Sequence, residues 1–364
     1  MKKIVLCLLC SIFSYTLSAQ TEKELQKLSW KEIATKMPAE WYGTDAARNI
    51  AGKLLLYQSD LGGFPKNIHF HRKIQQDVID ELKTSGIGTT IDNGATVNEM
   101  RFLTSMYAQT GDNLYKEAFL KALEYIYTSQ YENGGWPQFY PARKGKSNAY
   151  SNNITFNDDA MVNVLKMLYA ISDDDKPYNV LQFTPEQKAK ALEAYNKGIQ
   201  CILDTQIRNK KGELTVWCAQ HDPVTMLPTK ARAYELVSYS GVESVNITLL
   251  LMDVENPSPE VIAAVKGAVK WFDEHKITDI IYRRTKVNGK YVATIEPAEN
   301  ATPIWARFYD IDTEKPFFCD RDGVKRNSID ELGDDRRNGY KWYEDKGIKV
   351  LKEYPEWLEE IGQQ

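Results

Sequence analysis

The sequence has few cysteines, only four histidines and no excess of positive charge. Beyond residue 19 the only cysteines are Cys201, Cys218 and Cys319, and none forms a C-x-x-C pair. These three thiols indicate neither a disulfide-dense scaffold nor a zinc site. At most one disulfide can form among them, and the sequence does not show between which two. The formal net charge of −4 argues against general nucleic-acid binding, which needs a basic surface.

Long hydrophobic runs are also missing. Lys2 and Lys3 precede an apolar stretch over residues 4–17, and small residues follow at 18–19. This pattern predicts a signal peptide over residues 1–19, because the apolar stretch is short and is interrupted by serine. The mature protein is therefore predicted to be secreted or periplasmic, without a membrane span. No linker or low-complexity segment follows, so residues 20–364 are predicted to form a single domain.

Common catalytic signatures are absent as well. The sequence contains no G-x-S-x-G, H-E-x-x-H, Walker A or G-x-G-x-x-G motif. Its four histidines, at positions 69, 71, 221 and 275, form no recognisable pair of metal ligands. The function must therefore depend on other polar, charged and aromatic residues.

Helical periodicity is the dominant pattern in the sequence. Phe119, Leu123 and Ile126 lie at positions i, i+4 and i+7, and similar spacings recur in most segments. Strand-like alternation is scarce. One β-hairpin is plausible over residues 283–295, with Asn288-Gly289 as its turn. The protein is therefore predicted to be mainly α-helical.

A faint internal repeat accompanies the helices. LLLYQSDLGGFP at 54–65 resembles YIYTSQYENGGWP at 125–137, and LDTQIRNKKGELTVW at 203–217 is a degraded version. Helical hairpins repeated around an axis, here at intervals of about 70 to 80 residues, form a solenoid or a closed α/α toroid. Chance recurrence of the Gly-Gly-aromatic-Pro pattern is the alternative. Three long non-helical stretches, 131–157, 205–243 and 273–343, are predicted to gather at one end and wall a cleft.

Acidic and amide side chains occur just before two of the predicted helices, at 92–96 (Asp-Asn-Gly-Ala-Thr) and at 157–160 (Asn-Asp-Asp-Ala). Helix capping is one explanation, since such side chains bind free N–H groups at helix N-termini. The alternative is a calcium site, because calcium prefers oxygen ligands and tolerates irregular geometry. Asp92 and Asp158 are the candidate metal ligands, and the sequence does not distinguish Asp158 from Asp159.

Aromatic residues are frequent in the non-helical stretches. Any one of them can simply fill the core, but several beside Gly, Pro, Gln and Arg suit a saccharide cleft, where ring faces pack on sugar C–H groups. Trp136 and Tyr309 are the candidates for substrate contact.

A group of cations follows residue 229. Arg232 and Arg307 each lie among aromatic residues, and the guanidinium fork pairs with carboxylates such as those of a uronic-acid polymer. Other members of the group have aspartate neighbours, and surface ion pairs are expected to account for Arg336 and Arg337.

Taken together, six motifs resemble family 10 of the polysaccharide lyases, which are pectate lyases with an (α/α)₃ toroid. The matching stretches follow one another through nearly the whole mature chain: TIDNGAT (90–96), NGGWPQFYP (133–141), ITFNDDAM (154–161), WCAQHDPVTMLPTKARAYE (217–235), WARFYDIDTEKPFFCDRDG (305–323) and RRNGYKWY (336–343). Each motif is weak alone, but their common order is specific. The resemblance implies an all-α (α/α)₃ toroid of helical hairpins whose long irregular loops and small β-hairpin form the substrate cleft.

The resemblance also implies roles for individual residues. Arg232 corresponds to a base that abstracts the C5 proton of galacturonate, and Asp158 to a carboxylate that binds Ca²⁺. Asp92 and Asn93 correspond to polar groups at the scissile bond, whereas Arg307 and Arg321 correspond to arginines that bind substrate carboxylates.

The implied activity is calcium-assisted β-elimination of polygalacturonate by a monomeric enzyme. A nearby calcium ion and other cations are expected to lower the pKa of Arg232, which predicts an alkaline optimum. Two alternatives are a glycoside hydrolase that uses Asp92 and Asp158 and a non-catalytic pectin-binding protein.

Overall fold

The computed structural model describes residues 22–362, so the predicted signal peptide lies outside the described residues. Within this range the α-helices are α1 (Glu22–Leu25), α2 (Trp30–Thr35), α3 (Asp45–Leu56), α4 (Gln76–Ser85), α5 (Val97–Thr110), α6 (Asn113–Ser129), α7 (Ala160–Ser172), α8 (Pro185–Thr205), α9 (Glu243–Met252), α10 (Pro259–Glu274), α11 (Asp334–Gly339) and α12 (Gly347–Glu360). The strands are β1 (Ile154–Thr155), β2 (Gln220–His221), β3 (Tyr239–Ser240), β4 (Ile280–Val287), β5 (Lys290–Pro297), β6 (Trp305–Ala306), β7 (Phe308–Tyr309), β8 (Phe318–Cys319), β9 (Lys325–Arg326) and β10 (Tyr343–Glu344).

Three helical hairpins form the centre of the fold: α5 with α6, α7 with α8, and α9 with α10. The first helix of each hairpin is an inner helix, and α7 contacts both α5 and α9. The sequence sets where the outer helices α8 and α10 begin, because Thr184-Pro185 and Ser258-Pro259 each place a capping hydroxyl before a proline in the first turn. The all-α (α/α)₃ toroid implied by the resemblance is confirmed.

Hydrogen bonds explain the internal repeat. Gln58, Gln130 and Gln206 each lie just beyond an outer helix or its equivalent, and each side-chain amide donates two hydrogen bonds. The first bond closes the local turn at 2.7–3.0 Å, and its acceptors are, in the same order, Gly62 O, Gly134 O and Thr215 O. The other reaches a carbonyl of a later outer helix, Ala118 O, Ala194 O or Ala264 O, at 2.8–2.9 Å. The three repeats are therefore structurally equivalent, and each ties one hairpin to the next.

The Gly-Gly pair of the repeat is required by close backbone contact. Gly62 has φ of 101° and Gly134 has φ of 86°, a region that side chains rarely adopt. A Cβ at Gly62 would lie 2.1 Å from the carbonyl oxygen of Lys121, and one at Gly134 would lie 2.0 Å from that of Lys197. The turns can therefore pack directly on the helix backbone only because these positions have no side chain.

The predicted β-hairpin is also confirmed, and it is longer than expected. β4 and β5 pair in antiparallel register from Ile280–Pro297 to Val287–Lys290. Asn288 and Gly289, with φ of 49° and 83°, form the two-residue turn, which matches the positive φ values that a type I′ turn requires. The other strands contain two residues each and connect loops at the ends of the helices.

The three cysteines of the described range are buried, and none forms a disulfide. Within residues 22–362, no helix combines the length and apolar composition needed to cross a lipid bilayer.

A buried acid next to α2 makes stability depend on pH. The indole N–H of Trp30 donates to Glu99 Oε1 at 2.7 Å, and burial raises the pKa of Glu99 to about 7. An unfolded glutamate titrates near pH ~4.3. Protonated Glu99 therefore makes its full contribution to the free energy of unfolding below pH ~4.3. This contribution is lost as the pH rises through about 7.

We therefore expect Glu99→Gln to raise the free energy of unfolding at pH 8 by about 2–3 kcal/mol and to change it little at pH 4. Glutamine keeps the acceptor for Trp30 but cannot ionise. Urea unfolding at the two pH values measures the effect, with Glu117→Gln on the exposed side of α6 as the control. Equal effects of Glu99→Gln at both pH values would contradict this assignment.

Candidate active site

The N-termini of the three inner helices meet at one end of the toroid. A short helical turn at Asp92–Gly94 precedes α5, and another at Asn157–Asp159 precedes α7. These two turns contact each other, and the second also contacts α9, whose first residue is Glu243. The two acidic motifs of the sequence are therefore brought together, and Glu243 adds a third acidic position that was not predicted.

The backbone at these turns has unusual conformations. Asn93, Asp158 and Asp159 have positive φ values of 54°, 50° and 60°. Asn and Asp tolerate this region better than other side chains, but Thr96, with φ of 63° and ψ of −49°, is β-branched and lies outside it. The Thr96 hydroxyl donates to Thr90 O at 2.8 Å and accepts from Phe64 N–H at 3.0 Å, which holds the conformation. Conformations of this kind cluster at functional sites.

Asp92 is fully buried and forms an ion pair with Lys66. Its second oxygen accepts a long hydrogen bond of 3.5 Å from the Asn157 amide. Asn93 is exposed, and its amide donates to Asn67 Oδ1 at 3.1 Å. Because the Lys66 ammonium already neutralises Asp92, a metal ion at this carboxylate would have to displace it.

Asp158 and Asp159 have different surroundings. Asp159 accepts a hydrogen bond of 2.8 Å from the amide of Asn246 on α9. Asp158 is exposed, and among the described residues its carboxylate accepts a hydrogen bond only from its neighbour Asn157, at 3.0 Å. The surrounding protein and the nearby carboxylates of Glu243 and Asp92 raise the pKa of Asp158, although Arg307 and Lys66 act in the opposite direction. Of the two aspartates, Asp158 is therefore the one placed to bind a cation.

Arg307 lies beside this acidic group. Its Nη1 donates to Glu243 Oε1 at 2.8 Å, and both side chains are almost completely buried. Burial favours a lower pKa for Arg307, but the neighbouring acids Glu243 and Asp158 outweigh it and raise the pKa, so the guanidinium stays charged. Its carbon Cζ lies 4.9 Å from the ring centre of Tyr340.

Arg232 is held by a bidentate ion pair with Glu235. Nε donates to Glu235 Oε2 at 2.8 Å, and Nη2 donates to Oε1. This hydrogen bonding raises the pKa of Arg232 above its ordinary value, against the opposing effect of burial. Glu235 therefore acts in the opposite direction to the calcium ion and other cations that are expected to lower the pKa of Arg232.

The rings of two tyrosines, Tyr234 and Tyr340, contact the arginines predicted from the sequence. The guanidinium groups of Arg232 and Arg321 lie 4.9 and 5.5 Å from the ring centre of Tyr234. Arg336 lies between Tyr234 and Tyr340, at 4.6 and 4.0 Å from their ring centres. Through Tyr340, which also stacks with Arg307, the three arginines predicted to act on substrate belong to one cluster.

The ion-pair expectations for this cluster need one correction. Arg337 does form a surface pair, with Asp330 at 2.6 Å. Arg336 does not; it is buried, and its Nε donates to Cys319 O at 3.4 Å. Arg321 is exposed and pairs with Asp335 at 2.7 Å, so it is free to exchange this partner for another carboxylate.

A narrow pocket joins the two halves of the site. Its lining includes Asn157, Glu243 and Arg307 on one side and Glu235 and Tyr340 on the other. The pocket is therefore lined by Asn157, the sequence neighbour of Asp158, and by Glu235, the ion-pair partner of Arg232.

Trp136 and Tyr309, the aromatic residues predicted to contact substrate, do not line this pocket. Both are buried, with exposed fractions of 0% and 1%. The Trp136 indole N–H donates to Ile126 O at 2.8 Å, and the Tyr309 hydroxyl donates to His275 O at 2.9 Å. These aromatic residues fill the core where the loops join the helices, and a sequence motif alone cannot separate this role from sugar binding.

Four residues of the site were missed by sequence reasoning. Lys66 directly follows the first Gly-Gly-Phe-Pro repeat, and Glu235 and Tyr340 lie inside motifs that were chosen for their arginines. Glu243 occupies the helix start in the third hairpin that corresponds to the acidic starts of the first two. Comparing the three inner helix starts would have identified Glu243, but no pattern in the sequence indicates that Lys66 pairs with Asp92.

Metal binding by protein side chains alone is not supported. Within the part of the chain that the structure describes, no three His, Cys, Asp or Glu side chains are grouped closely enough to hold a metal ion. Asp158 fits a cation that takes its remaining ligands from elsewhere, because the neighbouring carboxylates disfavour its own negative charge.

The helical toroid and a cleft that combines arginines with acidic residues define a polysaccharide lyase. The Pectic acid lyase family profile matches residues 58–351, which is more than half of the chain. A family 10 polysaccharide lyase from Cellvibrio cellulosa has a similar structure, with 32% sequence identity, a TM-score of 0.74 and coverage of 95% of this chain and 98% of that chain. A mutant of a Cellvibrio cellulosa family 10 lyase, in complex with trigalacturonic acid, gives 32% identity, a TM-score of 0.75 and coverage of 95% and 99%.

No curated protein sequence matches the chain significantly. The family match and the structural neighbours are sufficient: the chain belongs to the pectic acid lyases of polysaccharide lyase family 10, and it is a pectate lyase.

Proposed function

We propose that the protein is a secreted, monomeric pectate lyase that cleaves α-1,4-polygalacturonate by calcium-assisted β-elimination. The observation that carries the proposal is one pocket lined by Arg307, by Glu235, which pairs with Arg232, and by Asn157, the neighbour of Asp158. Arg307 also interacts electrostatically with Asp158. A polyuronate has a carboxylate on every sugar, and a similar family 10 lyase has been captured with trigalacturonic acid. Bidentate arginines suit such a substrate.

Substrate binding depends on the arginines. Arg307 is fixed by Glu243 and Tyr340, so it can bind a sugar carboxylate without losing much side-chain entropy. Arg321 can exchange Asp335 for a second carboxylate farther along the chain. Asn93, exposed at the mouth of α5, is available to a sugar hydroxyl.

Arg232 acts as the base. It removes the C5 proton of a galacturonate, the electron pair forms the C4–C5 double bond, and the C4–O bond breaks. The oxygen that leaves with the preceding sugars takes a proton from solvent water and becomes their new hydroxyl. Asp158 would hold Ca²⁺, which when bound would supply positive charge to stabilise the negative charge that develops on the sugar carboxylate. Because Glu235 raises the pKa of Arg232, the neutral base is scarce at neutral pH, and activity increases with pH through the alkaline range.

The decisive test follows ultraviolet absorbance of the 4,5-unsaturated product during incubation with polygalacturonate, with and without EDTA. We expect absorbance that depends on calcium and rises from pH 7 to pH 10. Reducing sugar without absorbance would indicate a hydrolase, and binding without either product would indicate a pectin-binding protein. Constant activity from pH 5 to pH 10 would contradict Arg232 as the base. Size-exclusion chromatography of the mature protein checks the monomer.

A further inference from the structure

The β4–β5 hairpin is strongly basic in an otherwise acidic protein. Between residues 280 and 297 it contains Arg283, Arg284, Lys286 and Lys290 and a single acidic residue, Glu296. The hairpin borders an open groove enclosing about 1370 Å³ of non-protein space, separate from the pocket between Asp158 and Arg232. The other walls of the groove come from residues 300–304 and 341–345.

Aromatic rings and guanidinium groups alternate in this groove. Arg284 lies 4.4 Å from the ring centre of Tyr291, and its Nε and Nη2 donate to the carbonyl oxygen of Asn338 at 3.3 and 3.0 Å. Its orientation is thus fixed before any ligand arrives. The Arg283 side chain is exposed and has no ion-pair or hydrogen-bond partner among the described residues, so its charge is available. Tyr291 is 47% exposed, which leaves ring surface open to the groove.

The acidic residues of the groove do not cancel these charges. Glu344 is buried and lies between Lys341 and Lys346, at 3.3 and 2.8 Å. Asp345 is the other acid in the lining, and it is exposed. The groove therefore presents Arg283, Arg284 and aromatic surface to a ligand, a combination that suits the carboxylates and C–H faces of an acidic sugar chain.

The groove adjoins the cleft through one extended segment. Tyr340 lines the pocket with Arg307, whereas Lys341 and Tyr343 line the groove. A polymer bound in the groove would therefore be held close to the opening where cleavage is proposed.

From these observations we infer that the groove between the β4–β5 hairpin and residues 341–345 is a second binding site for an acidic oligosaccharide, outside the cleft. The identity of the sugar, a stretch of polygalacturonate, rests on the proposed function. The site increases the time that the enzyme stays on the polymer without taking part in the reaction.

The test measures retention of the protein in native gels that contain polygalacturonate, with EDTA to suppress cleavage. The variants are Arg283→Ala, Tyr291→Ala and Arg283→Glu. Each alanine variant is expected to weaken binding about threefold to fivefold, and the charge reversal more strongly. Lys27→Ala removes one exposed positive charge outside the groove and is expected to bind like the unmodified protein. The variants change exposed side chains, and equal unfolding midpoints verify that they fold.

Two further measurements make the proposal specific. Cleavage of trigalacturonate, which is too short to fill both sites, is expected to keep its kcat/KM within twofold in the three groove variants. Retention by neutral dextran is expected to be negligible. Unchanged retention of all three variants in polygalacturonate would overturn the inference, as would equally strong retention by dextran. Retention does not require turnover, so a protein that cleaves nothing would refute the proposed function without altering this result.

Discussion

Replacing Arg232 by lysine is expected to lower kcat on polygalacturonate by about 10³-fold, with KM changed less than about threefold. Lysine keeps a positive charge but cannot form the two parallel hydrogen bonds that Glu235 makes to Nε and Nη2. Its amine would therefore not be held where the guanidine meets the C5 proton. Loss of the base affects the chemical step, whereas the binding of substrate carboxylates by Arg307 and Arg321 is unchanged.

Substitution of Glu235 gives a second test of Arg232 as the base. Its hydrogen bond raises the pKa of Arg232, so Glu235→Gln, which keeps an acceptor but removes the negative charge, should lower that pKa. The neutral guanidine would then form at lower pH, and the alkaline limb of the pH–rate profile is expected to move down by about one unit. A merely structural role for Glu235 would change the rate without moving this profile.

The matched control is Arg326→Lys, which changes an arginine in a similar bidentate pair, with Asp322, outside the pocket lining. It is expected to keep wild-type kcat. An Arg232→Lys enzyme with more than a tenth of the wild-type kcat would exclude Arg232 as the base.

The fold was largely predictable because its signals are local and repeated. Helical periodicity marks each helix, and Thr184-Pro185 and Ser258-Pro259 mark the starts of α8 and α10. The repeat could be recognised because Gln130 and Gly134 perform the same tasks as Gln58 and Gly62, so the same residue types recur. A constraint that is satisfied within a few residues of sequence leaves a pattern there.

The site was less predictable because its partners are distant in sequence. Lys66 pairs with Asp92 across 26 positions, and Arg307 pairs with Glu243 across 64. Trp136 shows the opposite problem. Its motif is typical of a loop, but its indole N–H bonds the carbonyl of Ile126, only ten positions earlier, and the ring is buried. Whether a loop aromatic faces the core or the cleft depends on how neighbouring hairpins pack, which a single motif does not encode.

Asp158→Asn is expected to lower kcat/KM at moderate calcium concentration by about 10²-fold or more and to raise the calcium concentration needed for half-maximal activity. Asparagine keeps an oxygen donor but lacks the charge that attracts the cation. The folded protein disfavours this charge, since partial desolvation and the carboxylates of Glu243 and Asp92 raise the pKa of Asp158. Removing it should therefore leave the free energy of unfolding at pH 8 unchanged or higher.

Asp159→Asn separates the two adjacent aspartates. Asparagine keeps an acceptor for the Asn246 amide but loses the charge that strengthens this hydrogen bond, so the variant should lose some stability while keeping the wild-type calcium dependence. Calcium titrations of activity, combined with urea unfolding of both variants, give the two readouts. If Asp159→Asn lost the calcium response while Asp158→Asn kept it, the metal ligand would be Asp159. A substitution that lowers activity without lowering stability identifies a residue that acts in the cleft. Stability is kept in that case because the folded protein disfavours the charge that the substitution removes.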